Sequence, residues 1–224
     1  MSKYMINEIV CPNCGNKQSS TVWESVNVSL NPECKDQILN DQFFQFKCEK
    51  CNKDMQLAYN CLYNDISKRE MIWLIPELTD EIKKEINQAY TIQVDGRDFG
   101  KMYLDRIVDT PNGLKEKIII FDEGYDDRII EIIKIIYMSQ LGQITGNDEL
   151  MNEGITEMLF DNYEGSHSFV IFFEKINPIS IPMDENLYIK IYQDFIEFVE
   201  EKTKAGYLTI DYDWAKDILK KKNN

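Results

Sequence analysis

Two cysteine pairs, separated by 33 residues, are the side chains of this sequence whose types and spacing best suit chemistry. Cys11 and Cys14 lie in the run CPNCGN, and Cys48 and Cys51 lie in the run CEKCN. One Cys-x-x-Cys pair supplies two thiolates from a tight turn, and two pairs complete the tetrahedral set that Zn²⁺ prefers in structural sites. The spacing therefore predicts one structural zinc ion per chain, bound by these four cysteines.

The residues that follow each pair fit this interpretation. A knuckle of this kind favours a left-handed residue after its second cysteine, and Gly15 and Asn52 are residue types that tolerate that conformation. The alternative is a redox dithiol, because CPNC resembles such motifs. A closed site of four thiolates has no open position for a substrate, so we expect it to be structural and not catalytic.

Short strands and one helix must position the two pairs. Alternating apolar residues predict a strand in TVWESVNVSL after the first pair, and QFFQFK leads as a strand into the second pair. The stretch PECKDQILND between them predicts a short helix, and MQLAYNCLY and REMIWLIPE predict two more strands. The sequence thus predicts a zinc ribbon with β-hairpins over residues 1–75.

The remainder, residues 76–224, reads as a larger acidic α+β part. Thr79 is a candidate N-cap of one helix, and a helical hairpin is predicted in which Asp126 caps the second helix. A strand pair, a helix capped by Asp184 and a terminal helix complete the pattern. We expect residues 91–110 to be loop and strand, and residues 142–154 to form a weak boundary.

Charge and composition narrow the function classes. The net charge of −14 is uneven, because residues 1–75 carry 8 Lys/Arg and 9 Asp/Glu, whereas residues 76–224 carry 17 and 30. Phosphate backbones are bound through Lys and Arg, so the second part is a poor nucleic-acid surface. No apolar run is long enough for a membrane span and no signal peptide begins the chain, which predicts a cytoplasmic protein with reduced thiols.

The cysteine arrangement resembles a known family. The run CPNCG…VWESVNVSLNPECKDQIL…FFQFKCEKC…LYND is similar to the CpXC domain of bacteria and archaea, and the similarity extends over roughly residues 8–140. Members pair a Cys-Pro-x-Cys knuckle with a second Cys-x-x-Cys, usually also Cys-Pro-x-Cys-Gly. Here Glu49 replaces the second proline and Asn52 the glycine, while the four ligand positions are kept. The resemblance implies zinc binding and carries no established biochemical activity.

Other residues suggest chemistry, but each also has a structural interpretation. Carboxylates within residues 122–128 could form an acidic site, or end one helix and cap the next. His167 could be a general base, or a turn histidine exposed to solvent. We expect Cys34 and Cys61 to be small apolar core residues. Six aromatic residues of the first part could stack bases or fill a core: Trp23, Phe43, Phe44, Tyr59, Tyr63 and Trp73.

These observations favour a non-enzymatic zinc-binding module that acts on a protein partner. The alternatives are a ribbon that associates with nucleic acid through the near-neutral first part, and a metal-dependent enzyme that uses the carboxylates of residues 122–128. The sequence leaves the identity of the partner, the oligomeric state and the role of residues 142–224 open.

Overall fold

A computed structural model describes residues 1–90, 103–203 and 206–222. The chain is mixed α+β, as predicted, and forms two compact units: Met1–Lys115 with Ala205–Leu208, and Glu116–Lys204 with Thr209–Asn224. The boundaries predicted from sequence, at residue 75 and within 142–154, stay predictions. Of the loop and strand predicted over 91–110, residues 91–102 lie outside the described part.

The first unit is built on a five-stranded sheet of order β1-β2-β5-β6-β7. Its strands are β1 (Lys3–Val10), β2 (Lys17–Asn27), β5 (Cys61–Asp65), β6 (Glu70–Leu74) and β7 (Leu104–Val108). β2 pairs with β5 in parallel, β6 pairs with β7 in parallel, and the other two pairings are antiparallel. Apolar side chains of alternating positions are buried along these strands: Val26, Tyr63, Ile72, Leu74 and Ile107.

The segment between β2 and β5 holds a helix and a small hairpin. These are α1 (Pro32–Leu39), β3 (Gln45–Lys47) and β4 (Asp54–Gln56), and β3 and β4 form an antiparallel two-stranded sheet. Pro32 suits the first turn of α1, where its missing N–H is not needed. Helix α2 (Asp80–Tyr90) starts after Thr79, whose hydroxyl accepts a hydrogen bond from the Ile82 N–H at 3.3 Å, as the sequence predicts.

The remaining helices and strands follow in chain order. They are α3 (Pro111–Asp122), α4 (Asp127–Ser139), α5 (Leu141–Thr145), a 3₁₀ turn (Asp148–Asn152), β8 (Ile155–Tyr163), β9 (Ser166–Phe173), β10 (Ile179–Pro182), α6 (Glu185–Lys202) and α7 (Tyr212–Lys222). β9 is the central strand of an antiparallel sheet of order β10-β9-β8. The predicted caps are confirmed, because the carboxylates of Asp126 and Asp184 accept backbone N–H bonds at 2.9 Å.

Isoleucine dominates the core of the second unit. The fully buried residues include Ile118, Ile120, Ile129, Ile130, Ile132, Ile133, Phe160, Phe169 and Ile171. Isoleucine loses side-chain freedom in a helix. Tertiary packing therefore carries much of the stability of α3 and α4.

A buried ionic network joins α3 to α4. Lys134 Nζ lies 2.5 Å from Glu116 Oε1 and 3.0 Å from Glu131 Oε1. Lys117 Nζ lies 3.2 Å from Asp127 Oδ2 and 3.3 Å from Glu131 Oε1. Burial alone would lower the pKa of Lys134, but Glu116 and Glu131 outweigh it and raise the pKa. Burial would also lower the pKa of Lys117, but Asp127 and Glu131 outweigh it and raise the pKa, so both ammonium groups are held charged.

Candidate metal centre

The first cysteine pair forms the tip of the β1–β2 hairpin. The Cys11 N–H donates to the Asn16 carbonyl at 2.8 Å, and the Gly15 N–H donates to the Cys11 carbonyl at 2.9 Å. Gly15 has φ +68°, the left-handed conformation predicted for this position. These bonds turn the chain so that Cys11 and Cys14 lie on the same side of the turn.

The second pair repeats this geometry between β3 and β4. The Cys48 N–H donates to the Lys53 carbonyl at 3.0 Å, and the Asn52 N–H donates to the Cys48 carbonyl at 2.8 Å. Asn52 has φ +53°, so asparagine fills the left-handed position that glycine fills in the first knuckle. The replacement of proline by Glu49 leaves the turn intact.

The four thiols converge. Cys11 Sγ lies 3.7 Å from Cys51 Sγ, and Cys14 Sγ lies 3.6 Å from Cys48 Sγ. All four sulfur atoms lie within 4.8 Å of one another, so the group could hold a metal ion. A tetrahedron with zinc–sulfur bonds of about 2.3 Å has edges of about 3.8 Å. The observed separations fit a single tetrahedral ion.

Hydrogen bonds to sulfur favour thiolates on the second knuckle. The Asn13 side chain and the Lys53 N–H lower the pKa of Cys51 to about 6. The N–H groups of Cys51 and Lys50 lower the pKa of Cys48. The Asn16 N–H favours the Cys14 thiolate, but burial and the neighbouring thiols outweigh it and raise the pKa of Cys14 to about 12. A bound cation would favour the thiolate form of Cys14 against these effects.

A glutamine from β2 ties the two knuckles together. Gln18 Nε2 donates to the Lys47 carbonyl at 2.9 Å, and Gln18 Oε1 accepts the Glu49 N–H at 2.9 Å. Both contacts lie at the start of the second knuckle, while Gln18 itself follows the first. Sequence reasoning missed Gln18, because its role depends on a contact across 29 residues.

The apolar packing around the thiols is small. The buried cluster consists of Cys11, Phe46 and Cys48, with Ile9, Met55 and Leu57 partly buried against it. Cys34 and Cys61 lie elsewhere, each 1% exposed, and burial raises the pKa of Cys34 to about 11 and of Cys61 to about 12. Their predicted place in the core is confirmed, and they are inert as thiolates at neutral pH.

Three of the four carboxylates within residues 122–128 bind different partners. Asp126 caps α4 and also pairs with the Arg128 guanidinium, whose Nε lies 2.9 Å from Asp126 Oδ1. Asp127 is buried against Lys117. Glu123 lies 3.0 Å from His167. Within the described ranges, the four cysteines are the group that could hold a metal ion.

His167 is not the exposed turn residue that we expected, because its side chain is only 17% exposed. It lies in β9, with Nδ1 2.6 Å from Glu185 Oε1 and Nε2 3.0 Å from Glu123 Oε2. The Tyr125 hydroxyl lies 3.0 Å from Nδ1 and donates to Glu185 at 2.6 Å. Carboxylates on both ring nitrogens favour a charged imidazolium and leave neither nitrogen open to a substrate.

Aromatic residues of the first unit pack against one another. Ring centroids are 6.0 Å apart between Trp23 and Phe43, 4.9 Å between Phe43 and Phe44, and 5.3 Å between Phe44 and Tyr59. Phe43, Phe44 and Tyr63 are buried, which favours the core interpretation over base stacking for these three.

No helix among the described residues combines the length and apolarity needed to cross a membrane.

Comparison with known proteins assigns the family. Neither a curated protein nor a solved structure matches the chain. The model of the family described as "CpXC protein" matches residues 9–134, more than half of the chain, and this range includes both knuckles, helix α3 and the first part of helix α4. The chain therefore belongs to the CpXC family.

Proposed function

We propose that this protein is a zinc-binding interaction module, in which one structural Zn²⁺ is bound by Cys11, Cys14, Cys48 and Cys51 and the surface acts on a protein partner. The observation that carries the proposal is the convergence of four sulfur atoms within 4.8 Å of one another, with Cys11 and Cys51 3.7 Å apart and Cys14 and Cys48 3.6 Å apart across the two knuckles. Four thiolates in a tetrahedron suit zinc or iron, and zinc is the usual ion of paired knuckles.

The geometry supports a structural site. Cys11 and Cys48 are buried and all four positions of a tetrahedron are supplied by protein sulfur, so a substrate would find no coordination position. Glu123 binds His167, and Asp126 and Asp127 bind neighbouring cations, which supports a non-enzymatic role. Six free cysteines fit a reducing compartment, and we place the protein in the cytoplasm.

Metal content tests the zinc site. We expect one zinc per chain after purification without chelator, four thiols that become reactive when the metal is removed, and a thiolate-to-metal absorption band when Co²⁺ replaces Zn²⁺. Cys14→Ser should lose the metal, because Cys14 is one of the four proposed ligands. Cys34→Ala is the matched control and should keep one zinc. Iron in place of zinc, or two pairs that oxidise reversibly without metal, would contradict the assignment.

The interaction role needs its own test. Metal-loaded wild type and the Cys14→Ser variant would each be used to capture proteins from the native host. A partner that binds the wild type and is lost with the variant supports the proposal, whereas identical, non-specific recovery with both counts against it.

A further inference from the structure

His167 connects four parts of the second unit through its side-chain contacts. The histidine lies in β9, Glu123 directly follows α3, Tyr125 lies in the turn between α3 and α4, and Glu185 begins α6. Oxygen atoms of the three partners lie 2.6–3.0 Å from the imidazole nitrogens, so each can share a hydrogen bond with the ring. Loss of one proton from the imidazole would therefore rearrange contacts between all four parts.

The strands and the helix cap around His167 add no further titratable contact among the described residues. In β8, Asn162 lies opposite His167 in the ladder, and the ring of Phe160 lies 5.6 Å from the imidazole. Beyond β10, Met183 donates its N–H to the His167 carbonyl at 3.0 Å, and Asp184 caps α6. The titratable side chains in contact with the imidazole are those of Glu123, Tyr125 and Glu185.

The charged imidazolium satisfies every member of this cluster. Both ring nitrogens are then donors, Nδ1 to Glu185 at 2.6 Å and Nε2 to Glu123 at 3.0 Å. The Tyr125 hydroxyl has a single proton, which it donates to Glu185 at 2.6 Å. The same hydroxyl oxygen lies 3.0 Å from Nδ1, so rotation of its O–H bond is enough to redirect that proton to the ring.

The two carboxylates differ in how easily they can leave the ring. A neutral imidazole has a lone pair on one nitrogen, which repels the carboxylate that faces it. Glu123 is held by Asn162, whose Nδ2 donates to Glu123 Oε1 at 2.6 Å, and its side chain is 31% exposed. The Glu185 side chain is 51% exposed and can rotate into water. Loss of the Nδ1 proton, which faces Glu185, therefore costs less than loss of the Nε2 proton.

We propose that His167, Tyr125 and Glu185 form a pH-dependent hydrogen-bond switch. When the Nδ1 proton leaves to water, the Tyr125 hydroxyl turns from Glu185 to Nδ1, Nε2–H keeps its bond to Glu123, and the Glu185 carboxylate moves into solvent. The first turn of α6 then presents an unpaired carboxylate beside Asp184. Burial lowers the pKa of His167, but the bonds to Glu185 and Glu123 outweigh it and raise the pKa, so the switch operates above pH 6.5. The inference does not depend on the metal.

NMR of the imidazole nitrogens tests the switch directly, because His167 is the single histidine of the chain. In a ¹⁵N-labelled chain, the Nδ1 and Nε2 chemical shifts from about pH 5 to about pH 9 report which nitrogen carries the proton. We expect both to be protonated at acidic pH, and an excess of about tenfold of the Nε2–H form at alkaline pH, the effect of about one hydrogen bond. A neutral ring protonated mainly on Nδ1, or a ring that does not titrate in this range, overturns the proposal.

Two tyrosine variants show whether the Tyr125 hydroxyl decides the tautomer. Tyr125→Phe keeps the ring that packs against Phe160 but removes the donor to the neutral Nδ1, so the Nε2–H excess should fall at least about threefold. Tyr188→Phe is the matched control, because its hydroxyl accepts the Asp126 N–H at 3.0 Å, and it should keep the wild-type excess. An unchanged excess in Tyr125→Phe overturns the proposal.

The release of Glu185 has its own readout. The ¹³C resonance of its carboxylate, identified by its absence in Glu185→Gln, should shift with the same midpoint as the His167 titration and reach the value of a solvated carboxylate. A Glu185 resonance that does not follow the histidine also overturns the proposal, because the carboxylate then stays in place when the imidazole loses its proton.

Discussion

The two cysteine knuckles and the α3–α4 helix pair represent two ways of holding a chain together. Around the thiols, Phe46 is the one buried side chain of the cluster that is not a cysteine. In α3 and α4, by contrast, many isoleucine side chains are buried. Each fully buried isoleucine contributes about 1.5–3 kcal/mol, so we expect the helices to need no metal. The knuckles bury little apolar area, so we expect them to depend on the proposed metal to stay closed.

The largest expected effect is that of metal removal. Structural zinc can contribute about 10–16 kcal/mol in small folds, so chelation should open the knuckles while the isoleucine core stays closed. Hydrogen exchange with and without chelator checks this: amides of β3 and β4 should lose protection, and those of α4 should keep theirs. Equal loss of protection in both regions would show that the metal supports the whole chain.

Breaking the buried ionic network should have the second-largest effect, on the free energy of unfolding. Lys134→Met leaves Glu116 and Glu131 without their shared cation, at a cost of about 3–5 kcal/mol in the free energy of unfolding measured with urea. Lys221→Met is the matched control, because its ion pair with Asp217 is exposed, and it should cost less than about 1 kcal/mol. Adding Glu116→Gln to Lys134→Met should recover part of the loss, since one unpaired charge is removed.

Loss of the glutamine link should weaken metal binding without abolishing it. Gln18→Ala removes the bonds to Lys47 and Glu49, and loss of contacts that orient ligands typically reduces metal affinity about 10–100-fold. Competition with a chromogenic chelator measures the change. Gln45→Ala on the exposed face of β3 makes the same chemical change and should leave affinity unaltered. An affinity equal to wild type in Gln18→Ala would mean that the knuckles orient themselves.

The smallest effect should be a pH dependence that arises in the second unit. Partial burial lowers the pKa of His167, but its bonds to Glu185 and Glu123 outweigh this and raise the pKa above 6.5. A raised pKa means that the histidine's contribution to stability is complete below pH 6.5 and is lost as pH rises through the folded-state value. The difference in unfolding free energy between wild type and His167→Gln should therefore shrink towards alkaline pH.

Glu185 determines how stability changes at acidic pH. Burial raises the pKa of Glu185, but bonds from Tyr125 and His167 outweigh it and lower the pKa below 4.5. Its contribution is thus present above pH 4.5 and is lost as pH falls through the folded-state value. A difference that does not vary between mildly acidic and alkaline pH would show that His167 acts by packing alone.

Local patterns made the knuckles and helices predictable. Each cysteine pair is set by its own six-residue turn, and Asn52 adopts the left-handed backbone that the second turn needs. That the two pairs meet was predictable because a tetrahedral ion needs four ligands. Caps such as Asp126 bond within their own helix turn, so the sequence around them contains all the information needed.

Contacts between distant residues were not predictable in this way. The segment KYMINEIV was not expected to form a strand, and it forms β1 through its ladder with β2. The parallel pairing of β2 with β5 skips a whole helix and hairpin. His167 was expected to be exposed, and the sequence could not reveal its two carboxylate partners because they lie 44 and 18 residues away. Such positions depend on tertiary packing, which alternation and capping signals do not encode.

The helix and hairpin between β2 and β5 affect the order in which the first unit folds. Ser25 must meet Leu62 before β2 and β5 can pair. The second knuckle lies in the chain between these two residues, and the first knuckle lies just before Ser25. An ion already held by Cys14 and Cys48 ties positions 34 residues apart and shortens the loop that remains to be closed. Loop-closure entropy depends only weakly on length, so shortening the loop in this way lowers the entropic cost of closing it by only about 0.3 kcal/mol. The proposed metal would therefore stabilise the folded ribbon mainly after the strands have paired, and would speed the pairing itself very little.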